Sequence, residues 1–204
     1  MTGNSRLVIV YIHAIAISAL STIPSVQQET DVAEIGGNEM MARQEQREIG
    51  PLPPDQIIGI SGREILDRLL GGALPIPPFG QTMKISLVEV DEGRVVFCGE
   101  PVEAFTNPLG TVHGGWISTI LDSAMGCAVH STLKPGQIYT TTSMTIQFVR
   151  ALPPSRKPVR CEGWAVHSGT RLSTAEGKLF DAKGRLIAHG SETCLIMDAA
   201  RANR

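Results

Sequence analysis

The chain has 204 residues, 42% of them apolar and 19% charged, with a formal net charge of −2. That length and balance suit one globular domain, or one domain with an extension. A near-neutral chain with scattered Lys and Arg advertises no basic surface for nucleic acid or for an anionic membrane.

Residues 1–50 read as an extension. Leu7 to Leu20 form an apolar run behind Arg6, too short to span a bilayer. The run has the shape of a signal-peptide core, with Ala19-Leu20-Ser21 as a weak cleavage site. From Gln27 to Glu48 the sequence is polar and acidic, with few large apolar residues, and makes no core. Met40 and Met41 stand just ahead of the segment that looks folded, and a start at either would remove the secretion reading. The expected organisation is an extension over 1–50 and a domain over 51–204, in the cytoplasm.

Folded sequence is expected from near Ser61. Ser61 with Glu64 three positions on fits a capping box. Ile65, Leu66, Leu69 and Leu70 then mark one helical face, which Gly71-Gly72 closes. Pro75-Ile76-Pro77-Pro78 reads as an extended linker. Met83–Val90 alternates as a half-buried strand, Asp91-Glu92-Gly93 turns, and Arg94–Cys98 returns as a second strand. After a loop holding Asn107, Pro108 and Gly110 comes a long apolar helix over Trp116–Val129, ending before Pro135-Gly136. Four more strands follow, near Tyr139–Arg150, Pro158–His167, Arg171–Asp181 and Arg185–Met197. Their turns carry Pro153-Pro154, Ser168-Gly169 and Lys183-Gly184.

A lone helix that is apolar nearly all round has to be enclosed. A curved antiparallel sheet wrapped around it does so, which makes the expected fold α+β. Cys98, Cys127, Cys161 and Cys194 are spaced too widely for a zinc or redox motif and read as reduced core thiols. No ligand pair of histidines at helical spacing is present, so no metal is implied.

The chemistry gathers in Asn107-Pro-Leu-Gly-Thr-Val-His-Gly-Gly-Trp-Ile-Ser-Thr-Ile-Leu-Asp122. Setting the histidines aside, Asp122 is the one formal charge between Glu103 and Lys134. An unpartnered carboxylate in an apolar helix is costly by several kcal/mol, so it either reaches water or an arginine, or lines a reactive cleft. His113-Gly114-Gly115 opens the helix. The first N–H groups of a helix lack intrahelical acceptors and carry the positive end of its dipole. They can polarise a carbonyl as charge develops on its oxygen. Together the two features suggest acyl transfer to water.

These residues resemble the hotdog-fold thioesterases of the phenylacetic-acid-degradation (PaaI-like) type. Their motif is Asn-x-x-Gly-x-x-His-Gly-Gly with Asp nine positions after the His. Here it reads Asn107, Gly110, His113, Gly114, Gly115 and Asp122. The similarity runs over about residues 61–197 and includes Leu74–Pro78, Thr141–Arg150 and Gly184–Ala188. The resemblance implies a curved sheet around one long central helix, and roles for individual residues. Gly114 offers its N–H to the thioester carbonyl and Asn107 helps hold that oxygen. His113 orients the Asn107 loop. Asp122 activates water or attacks the thioester itself. Thr141, with Thr140 and Thr142 as rivals in the same run, positions the water.

Gly115, Phe148, Arg150, Gly169, Thr170 and Arg171 are the implied substrate contacts, the arginines for the phosphates of coenzyme A. Trp116 and Phe148 are candidate walls of an acyl pocket. The implied partner is an acyl-CoA substrate, with no cofactor, no nucleic acid and no membrane. Asp122 would come from the subunit opposite the one supplying His113 and Gly114, in a dimer or a dimer of dimers. Two other readings stand beside this one: an acyl-CoA-binding protein without activity, and a hotdog enoyl-CoA hydratase or dehydratase. His130, near the helix end, reads as a cation favouring the helix dipole.

Overall fold

The computed structural model describes residues 47–202. The apolar run Leu7–Leu20, the cleavage site and Met40-Met41 lie outside the described residues. In chain order the elements are α1 (Pro54–Ile57), α2 (Gly62–Gly71), α3 (Pro78–Met83), β1 (Ile85–Asp91), β2 (Arg94–Gly99), a 3-10 turn (Glu103–Phe105), α4 (Gly114–His130), β3 (Gln137–Phe148), β4 (Val159–Ser168), β5 (Leu172–Phe180), β6 (Leu186–Asp198) and α5 (Ala199–Ala202). Each expected strand is present, with its ends moved by no more than two residues.

Local chemistry accounts for the ends. Ser61 caps α2, its hydroxyl accepting the Glu64 N–H at 3.2 Å. The Glu64 carboxylate does not reach back to close the box; it takes Arg68 at 2.6 Å instead. Gly72 ends α2 with φ 85°, and its N–H reaches back to the last turn. Gly93 supplies the positive φ of the β1–β2 turn.

The proline-rich linker departs from expectation in two ways. Ile76 bridges Ile49, and Pro78 starts a short helix instead of continuing an extended run. Proline is well placed at a first helical position because its missing N–H would have had no partner there. The strand therefore begins at Ile85 and not at Met83. Packing also extends upstream of Ser61: the Arg47 guanidinium donates to the carbonyls of Leu69 and Leu74 at 2.6 and 2.7 Å.

The six strands form one sheet in the order β1-β2-β4-β5-β6-β3, every pairing antiparallel. Helix α4 lies against the sheet and is its core: Ile120, Leu121, Ala124, Met125, Ala128 and Val129 are fully buried. Each large side chain so buried contributes about 1.5–3 kcal/mol. The helix sits very close to the sheet. A Cβ on Gly163 of β4 would lie 2.4 Å from the Ala124 carbonyl, and one on Gly177 of β5 2.8 Å from Met125 Cγ. This is the hotdog arrangement.

The last strand of the sheet is β3. It pairs with β6 on one side only, and most of its 12 residues are exposed. All four cysteines are free thiols, and three of them are buried. Among the described residues no helix is long and apolar enough to cross a membrane.

Candidate active site

Helix α4 opens at His113. The His113 backbone N–H donates to the Phe105 carbonyl at 2.8 Å, fixing the loop before the helix. Its ring Nδ1 accepts the Gly115 N–H at 2.9 Å, so the imidazole caps the helix with a neutral nitrogen. Position 115 has to be glycine for this, because a Cβ there would stand 2.9 Å from that same Nδ1. The Trp116 and Ile117 N–H groups turn back to the His113 carbonyl. Among the described residues the Gly114 N–H has no acceptor, and it is the donor of the first turn left free for a ligand. The Phe148 ring lies over it, 3.3 Å from where a Gly114 Cβ would be.

Asn107 builds the loop before the helix. Its Oδ1 accepts the N–H groups of Leu109 and Thr111 at 2.9 and 3.3 Å, and its Nδ2 donates to Thr111 Oγ1 at 2.9 Å. One of the two amide protons is left for a substrate oxygen. The His113 ring touches the Gly115 N–H and not the Asn107 amide; the two residues are linked through the backbone of the loop.

Asp122 is partly buried on α4 and meets no cation among the described residues. Its Oδ1 lies 3.3 Å from the Thr141 hydroxyl on β3. Burial raises its pKa, and the Thr141 hydrogen bond opposes that shift. Of the three neighbouring threonines, Thr141 faces Asp122. Thr140 is exposed, and Thr142 donates to the Thr193 carbonyl at 3.0 Å. The β3–β6 register slips between Thr141 and Ser143, a bulge that re-aims side chains beside the carboxylate.

A residue that sequence reasoning passed over completes this corner. Glu192 on β6 is 2% exposed, and its Oε1 lies 2.9 Å from both Thr141 Oγ1 and Cys194 Sγ. Its Oε2 is buried without a partner among the described residues. Burial first, and then the neighbouring Asp122, raise its pKa. Strand period was the available signal. Glu192 stands in phase with the inward-facing Ala188, Gly190, Cys194 and Ile196.

The other expected contacts fall at two ends of the sheet. Phe148 and Arg150 are exposed at the C-terminal end of β3, beside the start of α4. Gly169, Thr170 and Arg171 lie in the β4–β5 turn, where the Arg171 carbonyl accepts the Ile196 N–H. Ile196 pairs with Tyr139 near the N-terminal end of β3. Within one chain, then, the two arginines are not brought together: Tyr139 and Phe148 are nine residues apart on one strand, about 30 Å. Trp116 is a core residue and not a pocket wall: it is 3% exposed, stacks on Phe105, and donates its indole N–H to the Met83 carbonyl. The Cys127 thiol is pushed up to about 12, by burial and then by Asp122 and Glu192, which leaves it unreactive. No group of three or more His, Cys, Asp or Glu among the described residues could hold a metal ion.

An apolar helix packed on a single curved antiparallel sheet, with a capped glycine start and one partly buried carboxylate, defines a hotdog domain. Residues 109–188 match the model of the thioesterase superfamily. A phenylacetic acid degradation-related protein of Ralstonia eutropha JMP134, assigned as a candidate thioesterase, is similar in structure. The TM-score is 0.59 at 26% identity, over 64% of this chain and 98% of that one. A thioesterase family protein of Silicibacter pomeroyi superposes with TM-score 0.56 at 24% identity, over 67% and 96% of the two chains. The PaaI protein of the E. coli phenylacetic acid degradation operon shares the fold, with TM-score 0.54 at 18% identity, over 58% and 83%. A search of curated proteins returns no match.

Proposed function

We propose that the protein is an acyl-CoA thioesterase whose site is completed by a second copy of the chain. The observation that carries the reading is the pairing of two features on α4: a Gly114 N–H at its start and an Asp122 carboxylate eight residues on, the one without an acceptor and the other without a cation among the described residues. In the reaction, water adds to the thioester carbonyl and Asp122 takes its proton, or Asp122 adds directly and water then cleaves the anhydride. The carbonyl oxygen gains negative charge, which the Gly114 N–H and the positive end of α4 stabilise. The intermediate collapses with cleavage of the C–S bond, releasing acid and thiol. Thr141 holds the Asp122 carboxylate or the water beside it. Arg150 and Arg171 are the cations available to the phosphates of coenzyme A, and Phe148 borders the acyl group.

One chain does not suffice for this chemistry. Eight residues of α-helix separate Gly114 from Asp122 by about 12 Å, whereas reacting atoms must approach to about 3–3.5 Å. The exposed edge of β3 offers a solution. Pairing that edge antiparallel with its copy about a two-fold axis brings the Phe148–Gly114 end of one chain to the Thr141–Asp122 end of the other. It also brings Arg150 of one chain toward the Arg171 turn of its mate.

Release of free thiol from a panel of phenylacetyl-, benzoyl- and straight-chain acyl-CoA esters is the test. Asp122→Asn should lower the rate at least ~100-fold, as loss of a reacting carboxylate does. Undiminished turnover in that variant would remove Asp122 from the mechanism. Tight binding without turnover across the panel would favour a binding protein instead.

A further inference from the structure

Glu192 is not used by the reaction described above, yet the structure makes it hard to ignore. It is among the largest fully buried side chains, and the only carboxylate among them. No cation approaches it among the described residues. The groups that face it are Asp122 and Cys127 from α4, Thr141 and Tyr139 from β3, and Cys194 on its own strand. Its cross-strand neighbour on β5 is Ala175.

A proton count across the Thr141 bridge then decides the arrangement. Thr141 Oγ1 stands 2.9 Å from Glu192 Oε1 and 3.3 Å from Asp122 Oδ1. A hydroxyl has one proton and can donate it to one of the two. With both carboxyls ionised, two like charges would share a dry corner, and one of them would face lone pairs of the hydroxyl. With Glu192 neutral, its carboxyl O–H donates to Thr141 and Thr141 donates to Asp122. Oε1 can still accept the Cys194 thiol. The single charge then sits on Asp122, the carboxylate with access to solvent, and the hydroxyl proton is pointed at it.

We infer that Glu192 is a positioning residue held in its protonated form, which orients the Thr141 hydroxyl toward Asp122 and keeps the negative charge of the pair on Asp122. This rests on the thioesterase reading for its kinetic consequence, but the protonation of Glu192 stands on the geometry alone. Loss of the Glu192 proton would reverse the bridge, drawing the Thr141 proton away from Asp122. The pair titrates as a unit, so the step belongs to both groups until one is removed.

The experiment compares Glu192→Gln and Glu192→Leu with the natural chain. The amide of the Gln variant donates to Thr141 at every pH, as the neutral acid does. Its kcat/KM at the plateau should stay within about 3-fold of the natural value, and the alkaline fall of the natural profile set by Glu192 should disappear. The Leu variant cannot donate and should lose at least ~10-fold in kcat with little change in KM, as misorientation of a reacting group does. An alkaline limb that is the same in the natural chain and in Glu192→Gln would overturn the inference, and so would a Leu variant with unchanged kcat. A readout free of turnover separates this from failure of the thioesterase reading. The infrared difference between the natural chain and Glu192→Gln at pH 7 should contain a protonated-carboxyl band. A carboxylate band in its place would also sink the idea, whatever the substrate proves to be.

Discussion

His130 ends α4, where the dipole of a helix favours a cation. Its surroundings do not permit one. Nδ1 is out of solvent with no partner among the described residues, the ring packs 5.7 Å from Tyr139, and burial lowers its pKa to about 4. The residue is therefore neutral at physiological pH and contributes no charge to the dipole; desolvation outweighs a surface effect of less than about 1 kcal/mol. The sign of the pH dependence follows. The unfolded chain binds the proton near 6.5 and the folded chain only near 4, so the unfolded state holds more protons between these values. Stability from this residue is complete above about pH 6.5 and falls as pH drops toward 4. From pH 7 to pH 5 the loss comes to about 2 kcal/mol. Urea unfolding at the two pH values should show a larger drop for the natural chain than for His130→Leu. Equal drops would show that His130 does not titrate in this way.

At the scale of elements, the contact between α4 and the sheet dominates. Gly163 pairs with Gly177, and Gly177 with Gly190, in adjacent strands. Two of these glycines let α4 settle onto the sheet, Gly163 against its backbone and Gly177 against Met125. Backbone cannot rotate out of the way as a side chain can. Gly163→Ala should therefore destabilise the fold by about 1–3 kcal/mol, the usual range for overpacking, read as a lower urea midpoint at unchanged slope. Gly71→Ala, where a Cβ meets nothing within 4 Å, is the matched control and should leave the midpoint nearly unchanged.

The same contact shows what the sequence can and cannot display. Helix α4 was legible because an unbroken apolar period has one outcome, burial. The strands were legible from alternation and from turn residues. The glycine row was not, since it exists only once three strands are in register, and register is a property of pairing. Asp122 was legible as an isolated charge. Glu192 was missed because a carboxylate in a strand reads as a solvent-facing position unless its phase is checked against Gly190 and Cys194. The α3 helix was missed because Pro77-Pro78 reads as extended, although the second proline has the backbone angle of a first helical turn.

For the whole molecule, the open question of chemistry is how many chains make one site, and β3 frames it. A long, exposed edge strand is a liability that folds usually cover or pair. Here it carries the exposed Met144 and Phe148, and the proposed two-fold pairing would cover it. That arrangement makes a quantitative prediction. The Asp122→Asn chain keeps its Gly114 N–H. A Gly114→Pro chain keeps Asp122 but loses that N–H, at a position where a helix tolerates proline and after a residue, His113, already extended at φ −64° and ψ 137°. Each variant alone should be nearly inactive. Mixed in equal amounts, dissociated and reassociated at random, half of the dimers are hybrids. Each hybrid joins the intact Gly114 of one chain to the intact Asp122 of the other in one of its two sites. Activity per chain should return to roughly a quarter of the natural value. A site contained within one chain would give no recovery at all, because neither variant holds both groups.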